Sequence, residues 1–281
     1  MFLIYELLAI IFIIFSPIFF LIRIFLGKED LNRFLEKYYI YNIGYNGKEI
    51  IWFHGASVGE ILSIIPLIKK IEENKNVKSI LLSSSTTSSA SIFKKIKLKK
   101  TKHIYFPIDE ENLTNKFIKF WKPKVAIFID SEIWPNMIRN LNKKKIPIIL
   151  INGRITFKSF NRWIKIPQFA KSIFSKITLA LPQNKETHNY LRKLGVKKIK
   201  SVGNLKYFGE TKNKINLNLK KLFRNRKIFC CASTHSGEEI FIAEAHIKSR
   251  KKIKNLITII IPRHIHRTSS IRSEEHTSEL Q

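Results

Sequence analysis

The hydrophobic pattern divides the chain into an apolar first segment, a long alternation of short β-rich runs with helical repeats, and a shorter second alternation. Leu7 to Ile22 reads LLAIIFIIFSPIFFLI, sixteen residues without a charge, and Met1 to Tyr5 extend it on the far side of Glu6. A spanning helix takes roughly 17–25 apolar residues. Segment 1–26 therefore predicts a membrane-anchor helix that either just crosses a bilayer or lies deep in its interface, with Pro17 placed to kink it. Residues 31–45 then read as a short amphipathic linker. Strand-like runs at 50–54, 78–83, 103–106, 125–129, 146–151, 178–181 and 199–202 alternate with helical periodicities near 60–74, 88–96, 111–121, 134–142, 161–173 and 185–194. Such a βαβα rhythm predicts an α/β fold, a parallel sheet with helices on both faces.

A second unit follows Gly203-Asn204-Leu205-Lys206 and a polar linker at 209–218. A strand at 228–232, a helix at 237–248 and a strand at 256–261 make one βαβ unit, short of the roughly 100–150 residues a domain ordinarily takes. The expected organisation is thus an anchor at 1–26, a Rossmann-like domain at 27–208, and the start of a second, incomplete domain at 209–271. Residues 272–281 turn abruptly acidic after a basic chain and resemble the in-frame translation of a sequencing adapter. They are expected to be non-native and are left out of the fold reasoning.

Charge changes the picture more than composition does. With 51 Lys and Arg against 21 Asp and Glu, the 281-residue chain carries a formal +30, which favours anionic partners such as acidic lipids or phosphorylated substrates. Arg23, Lys28, Arg33 and Lys37 follow the apolar segment, which by the positive-inside rule puts the rest of the chain on the cytoplasmic side and suits an anionic lipid surface. The Ser16-Pro17 end of the apolar run is a poor cleavage site and no basic residue precedes it, so a cleaved leader is not expected. An arginine-rich arm, zinc-ligand spacing and an aromatic RNA-binding box are all missing from the sequence, which disfavours nucleic acid as a partner and gives no metal site. The only cysteines, Cys230 and Cys231, are adjacent and cannot staple distant segments, as expected in a reducing compartment.

Ligands of parallel sheets bind at the carboxyl ends of the strands, and the polar residues gather there. Gly55-Ala56-Ser57-Val58-Gly59 fits the G-x-S-x-G nucleophile elbow between a strand and a helix. Ser57 would then be the nucleophile of a membrane esterase, with Asp130 and either His235 or His264 completing its triad. In the same turn Glu60 can serve instead as a general base, kept ionised by the positive helix end. A purely structural reading also fits: Ser57 caps the helix, and Gly55 and Gly59 supply φ freedom. Asp130 and Glu132, in the stretch Asp130–Asn136, add two acids at another strand end, although Glu132 and Pro135 also suit a helix cap. Arg154 and Lys206 contribute cations from further strand ends. In the second unit, Ser233, Thr234 and His235 open a helix whose start could hold an anion or form a capping box, and Arg263 with His264 follow its last strand.

Together these stretches resemble the Kdo (3-deoxy-D-manno-octulosonic acid) transferases of lipopolysaccharide synthesis. The matching segments, in order, are Phe53–Glu60, Tyr105–Asp109, Asp130–Asn136, Asn152–Ile155, Gln183–Asn184, Gly203–Lys206, Ala232–Glu239 and Pro262–His264. The resemblance implies a GT-B architecture of two Rossmann-like domains, an N-terminal acceptor domain and a C-terminal nucleotide-sugar domain, anchored to the cytoplasmic side of the inner membrane. It implies transfer of Kdo from CMP-Kdo to a lipid A precursor such as lipid IVA, by an inverting, metal-independent displacement with no cofactor beyond the donor. Glu60 matches the base, Asp130 and Lys206 match positions that stabilise the transition state, and Arg263 and His264 match part of the CMP site. Ser57, Glu132, Arg154, Ser233, Thr234 and His235 are the remaining expected substrate contacts. One departure is Asp130, where the family commonly has Glu. The family's later glycine-rich donor segments are not in this sequence, so the chain as it stands is expected to be a truncated form with little or no activity.

Overall fold

The structure, a computed structural model, describes residues 1–41, 49–205, 223–264 and 267–271. The chain divides into two compact units, Met1–Glu210 and Thr211–Gln281. Lys206, the 209–218 linker and the 272–281 tail lie outside the described residues.

Unit 1 begins with a 24-residue helix, α1 (Phe2–Phe25), unbroken through Pro17. At 1.5 Å per residue it is about 36 Å long. After a short 3-10 helix, Phe34–Tyr38, the expected alternation runs as β1 (Ile50–His54), α2 (Val58–Glu73), β2 (Ser79–Ser84), α3 (Thr87–Lys95), β3 (Thr101–Tyr105), α4 (Glu111–Trp121), β4 (Pro123–Ile129), α5 (Pro135–Lys143), β5 (Ile148–Gly153), α6 (Phe157–Ile164), α7 (Pro167–Phe174), β6 (Leu179–Pro182) and α8 (Lys185–Leu194). The six strands are parallel in the order β3-β2-β1-β4-β5-β6. That order reverses direction between β1 and β4, which opens a crevice beyond their carboxyl ends.

Side chains alternate faces along a strand, and β1 sorts them cleanly. Ile50 and Trp52 join a core with Phe117, Trp121, Phe128 and Leu150. Phe53 points the other way, into an aliphatic core with Ile61, Ile64, Ile68 and Leu82. With both faces covered, the sheet is the fully buried kind that parallel strands form.

Two expected elements differ. The 161–173 helix is two helices, α6 and α7, because Pro167 cannot donate to the turn before it and instead takes the first position of a new helix. The expected strand at 199–202 is a single bridge from Ile199 to Ala180. Lys198 and Lys200 each share one backbone hydrogen bond with Ala180, and lysines on an edge discourage further pairing.

The supposed linker after α1 is a clamp. Glu36 is buried; it accepts from Tyr105 N at 2.8 Å and from Arg33 Nε at 2.7 Å. Arg33 in turn donates to the His103 carbonyl at 3.0 Å and lies 3.2 Å from His103 Nδ1. Buried Asp109 caps α5 from outside, accepting from Asn136 N at 3.0 Å and Met137 N at 2.8 Å, and also from Tyr5 Oη at 2.7 Å. Burial pushes the Asp109 carboxyl up to about 6 against those three donors.

Unit 2 holds β7 (Lys227–Thr234), α9 (Glu238–Arg250) and β8 (Leu256–Pro262), a single parallel βαβ unit as expected. Ile228, Phe229, Phe241 and Ile247 are exposed on it.

Burial first, then the Arg33 and Lys94 charges, push His103 down to about 3. The folded protein thus holds fewer protons than the unfolded chain between about pH 3 and the ordinary value of 6.5, so this residue's contribution is lost as pH falls through that window. Thermal or urea unfolding should show wild type losing stability relative to His103→Gln, at up to about 1.4 kcal/mol per pH unit. Parallel pH curves for the two proteins would contradict this.

Candidate active site

The turn after β1 is pinned from the neighbouring strand. Gly55 N donates to Ser83 O at 3.1 Å, and Ser89 Oγ donates to Ala56 O at 3.3 Å. A Cβ on Gly55 would sit 3.1 Å from Glu60 Cβ and 3.2 Å from Ile129 Cδ1, so any larger residue here would press on both side chains. Neither Gly55 nor Gly59 takes a positive φ. The expected φ freedom is therefore not what these glycines supply.

Ser57 is the N-cap of α2, with extended backbone at φ −105 and ψ 162. Its hydroxyl accepts from Glu60 N at 3.4 Å and donates to Glu60 Oε1 at 2.7 Å, while Glu60 Oε2 accepts from Ala56 N at 2.8 Å. This resembles a capping box, with Glu60 reaching back to the amide of the residue before the cap rather than to that of the cap itself, and it fixes both carboxylate oxygens. Burial raises the Glu60 pKa, and the Glu132 and Asp130 charges add to the rise, against the pull of the Ser57 and Ala56 hydrogen bonds. The lowering expected from the helix end is reversed, because desolvation and two nearby carboxylates outweigh it.

Across the switch point, β4 ends at Asp130, whose left-handed φ of 62 turns the chain out of the sheet. Asp130 N donates to Ile151 O at 3.1 Å, and Asp130 O accepts from Arg154 N at 3.0 Å. Asp and Asn tolerate this conformation best among non-glycine residues, and Asn152 (φ 52) repeats it near the end of β5, at the irregularity between Ile151 and Gly153. Asp130, Ser131, Arg154, Ser159, Arg162 and Trp163 line a pocket of about 360 Å³.

Glu132 turns back towards β1. Its Oε2 lies 3.0 Å from His54 Nε2 and accepts from Trp134 Nε1 at 2.7 Å. Burial alone would raise the Glu132 pKa, but these two partners carry it below the usual carboxylate range. Fully buried His54 stacks on Phe106 at 3.9 Å, and its Nδ1 lies 3.0 Å from Ser83 Oγ. The sequence placed His54 at a strand end without assigning it a role; a polar side chain closing an otherwise apolar strand was the available signal.

The structure thus brings Ser57, Glu60, Asp130 and Glu132 to one crevice, with Arg154 at its β5 side. Leu205, the residue before Lys206, is held there by Asn152 Oδ1 at 3.2 Å. The nucleophile reading of Ser57 fails on geometry. Its hydroxyl donates to a carboxylate rather than to a histidine, and its backbone lacks the strain of a nucleophile elbow.

In unit 2, Ser233 has a left-handed φ of 66 and its hydroxyl accepts from Arg263 at 3.5 Å. Thr234 Oγ1 donates to Glu239 at 2.7 Å, so the threonine expected to face an anion is engaged internally. His235 is exposed, its N–H donating to Glu238 Oε2 at 2.8 Å; His264 is also exposed. Arg267, which the sequence reading missed, grips Glu239 with two 3.0 Å bonds. Those bonds are the main cause holding Glu239 down at about 2.

Residues 32–209 match the family described as 3-deoxy-D-manno-octulosonic-acid transferase (kdotransferase). The chain is 32% identical over 262 residues to a 3-deoxy-D-manno-octulosonic acid transferase of Rickettsia bellii, covering 91% of this chain and 62% of the relative. It is 30% identical over 240 residues to the Haemophilus influenzae transferase of the same name, covering 83% and 56%. It therefore spans less than two thirds of the length of these relatives. Among solved structures, a UDP-GlcNAc 2-epimerase from Neisseria meningitidis, bound to UDP-GlcNAc, aligns over 81% of this chain and 68% of its own. Its TM-score is 0.57 at 13% identity, which establishes the shared Rossmann-like, GT-B-type fold and no more.

Replacing Ser57 by Ala should cost about 0.5–2 kcal/mol of unit 1 stability, as expected for a lost N-cap. Urea unfolding checks this, and an unchanged midpoint would remove Ser57 from the turn's support.

Proposed function

The chain belongs to the 3-deoxy-D-manno-octulosonic acid (Kdo) transferase family, and from that premise we propose that an enzyme of its relatives' full length containing this chain moves Kdo from CMP-Kdo to a lipid A precursor such as lipid IVA. The observation that carries this reading is the Glu60 carboxylate. It stands half-buried at the strand-order switch, with both oxygens tethered and its pKa raised towards the working pH. A base is most effective when its pKa approaches the operating pH.

In the proposed step, Glu60 takes the proton from the acceptor hydroxyl as its oxygen bonds to the anomeric carbon of Kdo. The bond from that carbon to the phosphate oxygen of CMP breaks, and CMP leaves with the electron pair, so the configuration inverts. Asp130 faces positive charge developing on the sugar, and Lys206 and Arg263 balance the leaving phosphate. Ser57, Glu132 and Arg154 shape the acceptor side; Ser233, Thr234, His235 and His264 belong to the donor side. Neither a metal nor a cofactor beyond the donor is invoked. The reading places the enzyme on the cytoplasmic side of the inner membrane, held by α1 and by anionic lipids attracted to its charge.

In an enzyme of the relatives' full length, Glu60→Gln should lower transfer by at least about 100-fold. It should change stability little, since Gln retains an acceptor for Ala56 N. Ser57→Ala, which removes one of the two tethers on Glu60, should lower transfer far less than Glu60→Gln does; loss of activity in Ser57→Ala with Glu60→Gln active would return the esterase reading. The 281-residue chain alone, given CMP-Kdo and lipid A precursor, should give no product, and normal turnover would contradict that.

A further inference from the structure

Helix α1 carries its amphipathicity inside out. Its polar residues Tyr5, Ser16 and Arg23 share one stripe at helical spacing, with Glu6 one residue round the helix beside it, and this polar side packs on the rest of unit 1 from end to end. Tyr5 binds Asp109, and Glu6 pairs with Arg139. Ser16 Oγ lies 2.6 Å from Tyr38 Oη, and Arg23 Nε donates to Glu29 at 3.1 Å. The remaining faces expose Leu3, Leu7, Ile11, Ile14, Ile18 and Ile22, among others. A helix bonded to its own domain at three levels along its length cannot cross a bilayer while that domain stays in water. Its exposed apolar faces suit an interfacial position instead, turned towards acyl chains.

Between α1 and the sheet's carboxyl edge runs a groove of about 470 Å³, within the roughly 300–1,000 Å³ of small-molecule sites. Leu8, Phe12 and Phe20 form one wall; Phe106, Ile108 and Trp134 form the other. The first wall continues into the exposed apolar face of α1. At one end stand Arg23 and Lys37, both tethered to Glu29, so two cations face one carboxylate and the end keeps positive charge. The second wall reaches the reaction crevice, since Trp134 donates to Glu132 and Phe106 stacks on His54.

We propose that this groove receives one acyl chain of an anionic bilayer lipid, leading it from the membrane-facing side of α1 towards Trp134. Apolar walls select the chain, and the Arg23–Lys37 end selects the anionic headgroup. The occupancy needs no donor sugar, so it stands or falls apart from the transferase reading.

The test uses the 281-residue chain with phosphatidylglycerol vesicles whose acyl chains are dibrominated, which quench tryptophan on contact. The Trp134→Phe difference isolates that residue's emission, which should fall at least two-fold on brominated relative to plain vesicles. Ala9→Phe, which fills the groove while keeping α1 apolar, should remove most of this quenching and leave vesicle flotation unchanged. Circular dichroism checks folding, and Leu8→Phe replaces Ala9→Phe if the latter does not fold. Quenching of Trp134 that persists in the groove-filled variant, or that never appears in the parent, overturns the proposal.

Discussion

A carboxylate taken out of water costs several kcal/mol unless donors or cations replace its hydration, and unit 1 brings Glu60, Asp130 and Glu132 to one sheet edge. The arrangement around β1 and β4 answers that cost unevenly. Glu132 receives His54 and Trp134 and is pulled down; Glu60 receives one backbone amide and one hydroxyl and is left raised. Environments that push neighbouring acids apart are the usual way a site separates a structural carboxylate from a reactive one. Here His54 is the deciding partner. It belongs to β1, it is fixed by Phe106 and Ser83, and it reaches across to the loop after β4.

That same edge is where α1 docks. Asp109 joins three elements at once, capping α5 through Asn136 and Met137 while holding Tyr5 of α1. Helix α1, the loop carrying Trp134 and the crevice acids therefore form one packed body in unit 1. In the proposed transfer to a lipid, this packing would hold the apolar helix and Glu60 in fixed register.

Much of this was legible in the sequence because it is local. The short β-rich runs of β1 to β6, the helix limits at Glu111, Trp121, Lys185 and Leu194, and the Ser57–Glu60 cap all follow from residues within a few positions of one another. Pro167 was also visible, and giving it more weight than the apolar periodicity around it would have split α6 from α7. What escaped was non-local. His54 meets Glu132 across 78 positions of sequence, and Asp109 caps a helix 27 residues on. The rise in the Glu60 pKa comes first from burial and then from the Glu132 and Asp130 charges across the crevice, none of which its own helix could reveal. The polar side of α1 was present in Tyr5, Glu6, Ser16 and Arg23. Apolar length alone left a span and an interfacial helix both open, and only the packing shows those residues turned inward.

The central claim is that Glu60 is the base and that its pKa is set partly by the Glu132 charge. The most direct measurement is the pH dependence of transfer in the full-length enzyme and in its Glu132→Gln variant, which keeps an oxygen to accept from Trp134. Removing that negative charge should lower the Glu60 pKa and move the acid limb of kcat/KM to lower pH, whatever happens to the plateau rate. An acid limb that stays in place or moves to higher pH would contradict the assignment.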